Sequence, residues 1–222
     1  MTIEFTNNSI SATDFVWDFG DGTTSTGRDP VHTYADTGAY EVTLTVSDKL
    51  EVSDMTQQTV RVEEPESDFE PEILNPGFDI EGDDSYRDGW RNSDLGGVIQ
   101  ITSSPIHTGE KAAKLPSAGD RIGYQAITVE PNRDYVLSFY YTLKTSNPGS
   151  ITVAVLAGEV NDPAAIADAT IASFTGSDQT SASDFVQATI EFNSGDNSTV
   201  AIYFTNEGEE GRIDTFEIEA VQ

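Results

Sequence analysis

The sequence predicts an all-β protein built from β-sandwiches, and three observations carry that prediction. Apolar residues recur with period two in run after run, as strands with one buried face require. Gly, Asn, Asp and Pro separate the runs. The pattern breaks once, at Val60–Glu72 (VRVEEPESDFEPE), where acids and two prolines both extend a backbone. The chain therefore divides into a domain over 1–63, a short stiff linker over 64–71 and a second domain over 72–222.

Each run reads as an element. Thr2-Ile3-Glu4-Phe5-Thr6 alternates directly after Met1, which suits a segment of a longer chain with its export signal or lipid-anchor cysteine outside it. Gly20-Asp21-Gly22 suits a tight turn, because glycine accepts positive φ and aspartate bonds nearby amides. Tyr40 to Val46 alternates cleanly. In the second domain Tyr135, Leu137, Phe139, Tyr141 and Leu143 share one face. Val186, Ala188, Ile190 and Phe192 share another, as do Val200, Ile202 and Phe204. The one helix follows Asp162-Pro163, an N-cap with proline at the first helical position.

Composition excludes several functions. The 222 residues hold 39 Asp and Glu against 11 Lys and Arg, a net charge of −28. That rules out nucleic-acid binding by phosphate neutralisation and argues against anionic membranes. No cysteine is present, which excludes disulfides, thiolate nucleophiles and Cys-ligated zinc. No apolar run approaches the ~20 residues of a membrane span. The acidity reads mainly as solubility.

The first domain carries the motifs Trp17-Asp18-Phe19-Gly20-Asp21-Gly22, His32-Thr33-Tyr34 and Gly38-Ala39-Tyr40-Glu41-Val42-Thr43-Leu44-Thr45-Val46. In that order they resemble a PKD domain, which implies an immunoglobulin-like sandwich acting as a spacer. The family's first strand looks clipped. Trp17 is expected in the core, Tyr34 and Tyr40 with hydroxyls at the rim, and His32 as a structural histidine.

The second domain carries Asn75-Pro76-Gly77-Phe78-Asp79, Gly89-Trp90, Gly109-Glu110-Lys111-Ala112 and Ile213-Asp214-Thr215-Phe216. These resemble the jelly-roll carbohydrate-binding modules of families four, nine, sixteen and twenty-two. The resemblance implies a structural calcium held by Asp79, Asp214 and the Lys111 carbonyl, stapling first and last strands that pair. Thr215, where the family often has a second aspartate, implies weaker binding. Calcium needs six to eight oxygens, so Glu81, Asp83 and Asp84 are further candidates, although a solvated acidic loop is the simpler reading of them.

Sugars offer C–H faces to aromatic rings and hydroxyls to planar polar groups. Alternation turns Tyr140, Tyr203 and Gln187 outward, as one sugar-binding face. Tyr124 and Gln125, beside Arg121, form a second candidate group of undetermined direction. The loop Ser85–Asn92 adds Tyr86, Arg91 and Trp90, with Trp90 equally suited to the core. Arg87, Arg91 and Arg121 are scattered among acids, so a neutral glycan is favoured over an anionic one.

The combination resembles surface glycan-binding proteins of Bacteroidota polysaccharide-utilisation systems. It implies non-catalytic capture of a neutral β-glucan, laminarin by analogy, at the cell surface, with an outer-membrane glycan importer as partner. One alternative is an accessory fragment of a secreted polysaccharide-degrading enzyme. Another is a structural or adhesive spacer.

Overall fold

The computed structural model describes residues 1–63 and 67–221. Part of the expected linker, residues 64–66, lies outside the described residues. The chain divides into two compact units, Met1–Asp68 and Phe69–Gln222.

The first unit contains β1 (Thr2–Glu4), β2 (Asp14–Asp18), β3 (Thr24–Ser25), β4 (Val31–Thr33), β5 (Gly38–Ser47) and β6 (Ser53–Val62). The strand order β3-β2-β5-β6 forms one sheet, and β1 pairs with β4 in another. Trp17, Phe19, Tyr34, Val42, Leu44 and Val62 fill the core. The turn after β2 is built as its sequence suggests. Gly20 and Gly22 have φ of 77° and 87°, and a Cβ on Gly20 would lie 2.7 Å from the Glu41 carbonyl oxygen. Asp21 accepts the Thr23 amide and hydroxyl and pairs with His32 Nε2 at 2.7 Å. The Thr23 hydroxyl bond comes first and the His32 contact adds to it, so the Asp21 carboxyl falls to about 2 although partial burial opposes this. His32 stacks on Phe19, a structural use. Tyr34 departs from expectation: its hydroxyl is buried and donates to the Phe19 carbonyl rather than reaching the rim. Most of β6 is exposed, and a groove of about 560 Å³ lies beside it, lined by Ile3, Phe5, Trp17, Met55 and Val60.

The second unit contains β7 (Gly97–Val98), β8 (Gln100–Thr102), β9 (Ala112–Leu115), β10 (Arg121–Thr128), β11 (Asp134–Leu143), β12 (Ser150–Ala157), β13 (Thr170–Gly176), β14 (Val186–Asn193), β15 (Thr199–Glu207) and β16 (Gly211–Ala220). They form two five-stranded sheets, β13-β12-β15-β10-β7 and β14-β11-β16-β9-β8. Both contribute to one core, with Leu137, Phe139 and Ile190 from one sheet and Val153, Ile202 and Phe204 from the other. This is the expected β-sandwich. The five alternating residues Tyr135 to Leu143 are all buried. The helix is one 3-10 turn (Pro163–Ala165) running into α1 (Ile166–Ala169), capped by the Asp162 carboxylate on the Ala164 amide.

The unit's first and last strands do not pair, contrary to the expectation: β7 joins β10 and β16 lies between β11 and β9. The ends still meet, because the Phe216 amide donates to the Pro76 carbonyl. The Asn75–Asp79 motif is a loop. Asn75 adopts φ 48°, its Oδ1 accepts the Ile80 amide, its Nδ2 donates to the Tyr86 carbonyl, and its own carbonyl accepts Trp90 Nε1–H at 2.9 Å. That network explains why the asparagine and the Gly89-Trp90 motif occur together.

Candidate functional site

The expected sugar face does not exist as one surface. Tyr140 lies on β11 and Tyr203 on β15, in different sheets of the sandwich. Both side chains point away from the shared core, since Phe139 and Tyr141 flank one and Ile202 and Phe204 flank the other. Two outward residues on opposed sheets face opposite directions. Alternation sorts inside from outside but does not say which sheet a strand joins.

On the β14-β11-β16-β9-β8 sheet, Tyr140 stands opposite Gln187 and opposite Asp214. His107 stacks on the Tyr140 ring with centroids 3.6 Å apart, and Phe185 approaches His107. One face of the tyrosine is therefore already covered. His107 Nδ1 contacts the Thr215 hydroxyl at 3.2 Å.

On the β13-β12-β15-β10-β7 sheet, Tyr203 stands opposite both Tyr124 and Ala154. The two tyrosines sit in a small apolar cluster with Ile122, Leu156, Val160 and Ala201. Tyr124 is buried, and its hydroxyl accepts the Val160 amide at 2.8 Å. Burial pushes both phenols up, against hydrogen bonds from Val160 and Thr205 respectively. Tyr203 remains half-buried. The same outer face carries hydroxyls: Thr152 is opposite Thr205 and bonds Thr175 at 3.0 Å.

Beside Tyr124 opens a recess of about 390 Å³, lined among others by Arg91, Asn92, Tyr124, Ala126, Glu159 and Asn161. Its walls come from the 89–93 loop, β10 and the 159–161 turn. Asn92 Nδ2 bonds the Val160 carbonyl and Asn161 Oδ1, each at 2.9 Å, which ties the two loops together. Arg91 is half-exposed and holds Asp84 at 2.9 Å. The recess thus gathers amide, guanidinium and carboxylate groups beside the buried Tyr124 ring. Asn92 belongs to the loop that sequence reading singled out, whereas Glu159 and Asn161 were missed. Their only signal was polarity within loops, which most surface loops share.

The other candidates divide. Trp90 is fully buried against Phe78, Phe204 and Phe216, so it is a core residue and no sugar platform. Gln125 lines the recess, but its side chain is buried and clamps the Leu74 backbone, accepting from N and donating to O. Tyr86 has φ 71°, with Lys111 Nζ 5.0 Å from its ring centroid. Gln187 is exposed.

Asp79 and Asp214 do come together. A Cβ on Gly77 would lie 3.1 Å from Asp79 Oδ2 and 3.8 Å from Asp214 Oδ1. Asp79 Oδ1 accepts the Glu110 and Lys111 amides, and Asp214 accepts those of His107 and Thr215 at 2.8 Å. Asp214 is fully buried. Burial raises its carboxyl pKa and the nearby Asp79 charge adds to that, although three backbone bonds oppose. Two like charges gathered this way suit a cation between them. Among the described residues no three His, Cys, Asp or Glu side chains converge, so the remaining ligands would be backbone oxygens or water. Lys111 presents its amide to Asp79, while Asp84 is engaged by Arg87 and Arg91.

Comparison with known proteins follows the two units. Over 51 residues the chain is 49% identical to the pre-pro-metalloprotease PrtV of Vibrio cholerae, covering 23% of this chain and 6% of that protein. Over 65 residues it is 42% identical to collagenase ColA of Bacillus cereus, covering 28% and 7%. The chain thus spans a small fraction of the curated relatives it matches. Among solved structures, a CBM4 module aligns with 68% of this chain and all of its own, at 17% identity and a TM-score of 0.47. The CBM22-1 xylan-binding domain of Paenibacillus barcinonensis Xyn10C aligns with 66% and 92%, at 17% identity and 0.42. A CBM61 module solved with β-1,4-galactotriose aligns with 67% and 97%, at 17% and 0.43. Residues 1–63 match the PKD domain family, so the chain carries a PKD domain at its N-terminus.

Proposed function

We propose that this chain is a non-catalytic, extracellular glycan-binding protein whose second unit takes a neutral polysaccharide on the outer face of the β13-β12-β15-β10-β7 sheet. One observation carries the reading: a recess lined by Arg91, Asn92, Glu159 and Asn161 adjoins the buried Tyr124, whose cross-strand neighbour Tyr203 is half-buried on the outer face of the same sheet. Tyr203 offers a ring to a sugar's C–H face, and the planar groups exchange hydrogen bonds with its hydroxyls. Arginine donates in pairs through its fork. A neutral β-glucan such as laminarin suits a body of net charge −28. A calcium ion between Asp79 and Asp214 would neutralise their repulsion and fasten the Asn75–Asp79 loop to β16. Surface capture ahead of an outer-membrane importer is the role this reading assigns.

Affinity electrophoresis against laminarin, mixed-linkage glucan, xylan and alginate tests it. Retardation by a neutral glucan, lost in Tyr203→Ala, is the expected result. Retardation by alginate alone would overturn it. A second reading, an accessory segment of a secreted enzyme, is favoured by the first unit's similarity to parts of a metalloprotease and a collagenase.

A further inference from the structure

The sheet β3-β2-β5-β6 ends on β6, so one edge of that strand is open. At ten residues β6 is the longest edge strand among the described residues; β14 has eight and β13 seven. An open edge is a template for another strand, and proteins blunt it with shortness, proline, lysine or a bulge. The edge strands β1, β3, β4, β7 and β8 are two or three residues long, and β13 carries a register shift. β6 has none of these guards. Ser53–Val62 contains no proline and no lysine, and it pairs with β5 in unbroken register.

The open backbone groups can be assigned. The Ser47 carbonyl on β5 accepts the Thr13 amide from the β2 side, so its pair with Ser53 is one that exchanges no backbone bonds. Such pairs alternate along an antiparallel ladder. Met55 agrees, since its amide is turned to the Asp54 carboxylate at 2.8 Å. The N–H and C=O of Gln57, Thr59 and Arg61 therefore point outward.

The groove of about 560 Å³ lies along the inner face of this strand. The opposing sheet has two strands against four, which leaves Thr56 and Gln58 exposed on the groove wall. Half-buried Ile3, Phe5, Val46 and Val60 give it an apolar lining. The charged residues of that lining are Glu4 and Asp54, and no base joins them.

We propose that the first unit binds an extended segment of a partner polypeptide as an added strand on β6, one with alternate apolar side chains and basic ends. The segment's backbone bonds Gln57, Thr59 and Arg61. Its apolar side chains enter the groove, and its basic ends meet Glu4 and Asp54. In strand addition the main-chain bonds supply affinity and the side-chain pockets supply selectivity.

Calorimetry and amide exchange on the full chain test this, with a peptide alternating valine and threonine between terminal lysines. A second peptide has glutamate ends, and a third has proline in place of its central threonine. The lysine peptide should bind about tenfold tighter than either, with slowed exchange at Gln57 and Thr59. Thr59→Pro removes an outward N–H and leaves the β5 ladder intact, so it should weaken binding about tenfold. Thr56→Lys, a guard charge on the inner face, serves should Thr59→Pro melt early. No binding, equal binding of the three peptides, or wild-type affinity in both variants would overturn the proposal. So would sedimentation showing that two copies of the chain pair through β6 and exclude the peptide. Laminarin retardation depends on the second unit, so the two readings fail separately.

Discussion

Tyr140 and Tyr203 make the same impression in sequence and differ completely in the fold. Each interrupts a perfect apolar alternation, and each points out of the sandwich. Tyr140, half-buried like Tyr203, has one ring face covered by His107, whose loop is held by Asp214. Tyr203 is the cross-strand neighbour of Tyr124, which lines a polar recess. The difference comes from neighbours contributed by remote segments. A side chain's availability for a ligand depends on what the next strand and the nearest loop bring, more than on its own alternation.

Trp90 should have the largest effect, and it should not distinguish the faces. It touches Phe78, Phe204 and Phe216 between the two sheets. Trp90→Ala should cost about 3–5 kcal/mol, read as a lowered urea midpoint of the second unit. A variant of wild-type stability that had lost only glycan binding would return Trp90 to the binding surface.

The same comparison shows what the sequence could tell. The strands and the inward residues of β11, β14 and β15 were legible because periodicity and local turn chemistry determine them, and the PKD domain was legible through the resemblance of its motifs. Asp79 and Asp214 were legible as a pair through resemblance, 135 residues apart, and the fold brings them together. The sheet assignment of each strand was not legible, since it depends on long-range pairing. Hence Tyr140 and Tyr203 were merged. Gln125 looked like a ligand because a buried glutamine clamping a backbone leaves no local signature. The meeting of Lys114, Lys144 and Arg212 at Glu210 was invisible for the same reason: three bases at wide spacing meet only through sheet register.

Chelation should separate the faces next. With calcium between Asp79 and Asp214, removal by EDTA exposes the burial cost of Asp214 and frees the loop that carries His107 over Tyr140. At calcium about 100 times its dissociation constant the ion contributes about 2.7 kcal/mol, or a melting shift of roughly 5–10 °C for a unit of this size. Amide exchange should quicken at His107 and Thr108 and stay unchanged at Val160, on the Tyr203 side. An identical melting curve with and without EDTA would remove calcium from the account.

Ring deletions sharpen the contrast at smaller cost. Tyr203→Ala should weaken neutral-glucan affinity about tenfold, or about 1.4 kcal/mol, and lower the melting temperature less than Trp90→Ala, since its ring is only half-buried on the Ile122–Leu156 cluster. Tyr140→Ala should leave affinity unchanged and loosen the His107 loop. The reverse pattern in calorimetry would move the binding face to the Tyr140 sheet, with Gln187 as its polar partner.

Acid should act last and least, again on one side. Glu210 lies at the end of the Tyr140 sheet. Burial raises its pKa, but Lys144, Lys114 and Arg212 together outweigh burial and hold it below its ordinary value of 4.5. A carboxyl with a lowered folded-state pKa contributes stability that is present above 4.5 and fades as the pH falls below it. Protonation also leaves the three cations repelling one another with less negative charge to hold them together. Glu210→Gln should therefore be less stable than wild type at pH 7, by a margin that shrinks as the pH falls below 4.5. The gap between their urea midpoints should close as the solution is acidified. A gap that stays constant across that range would mean that Glu210 acts by packing alone, and that the three cations are held together by something other than its charge.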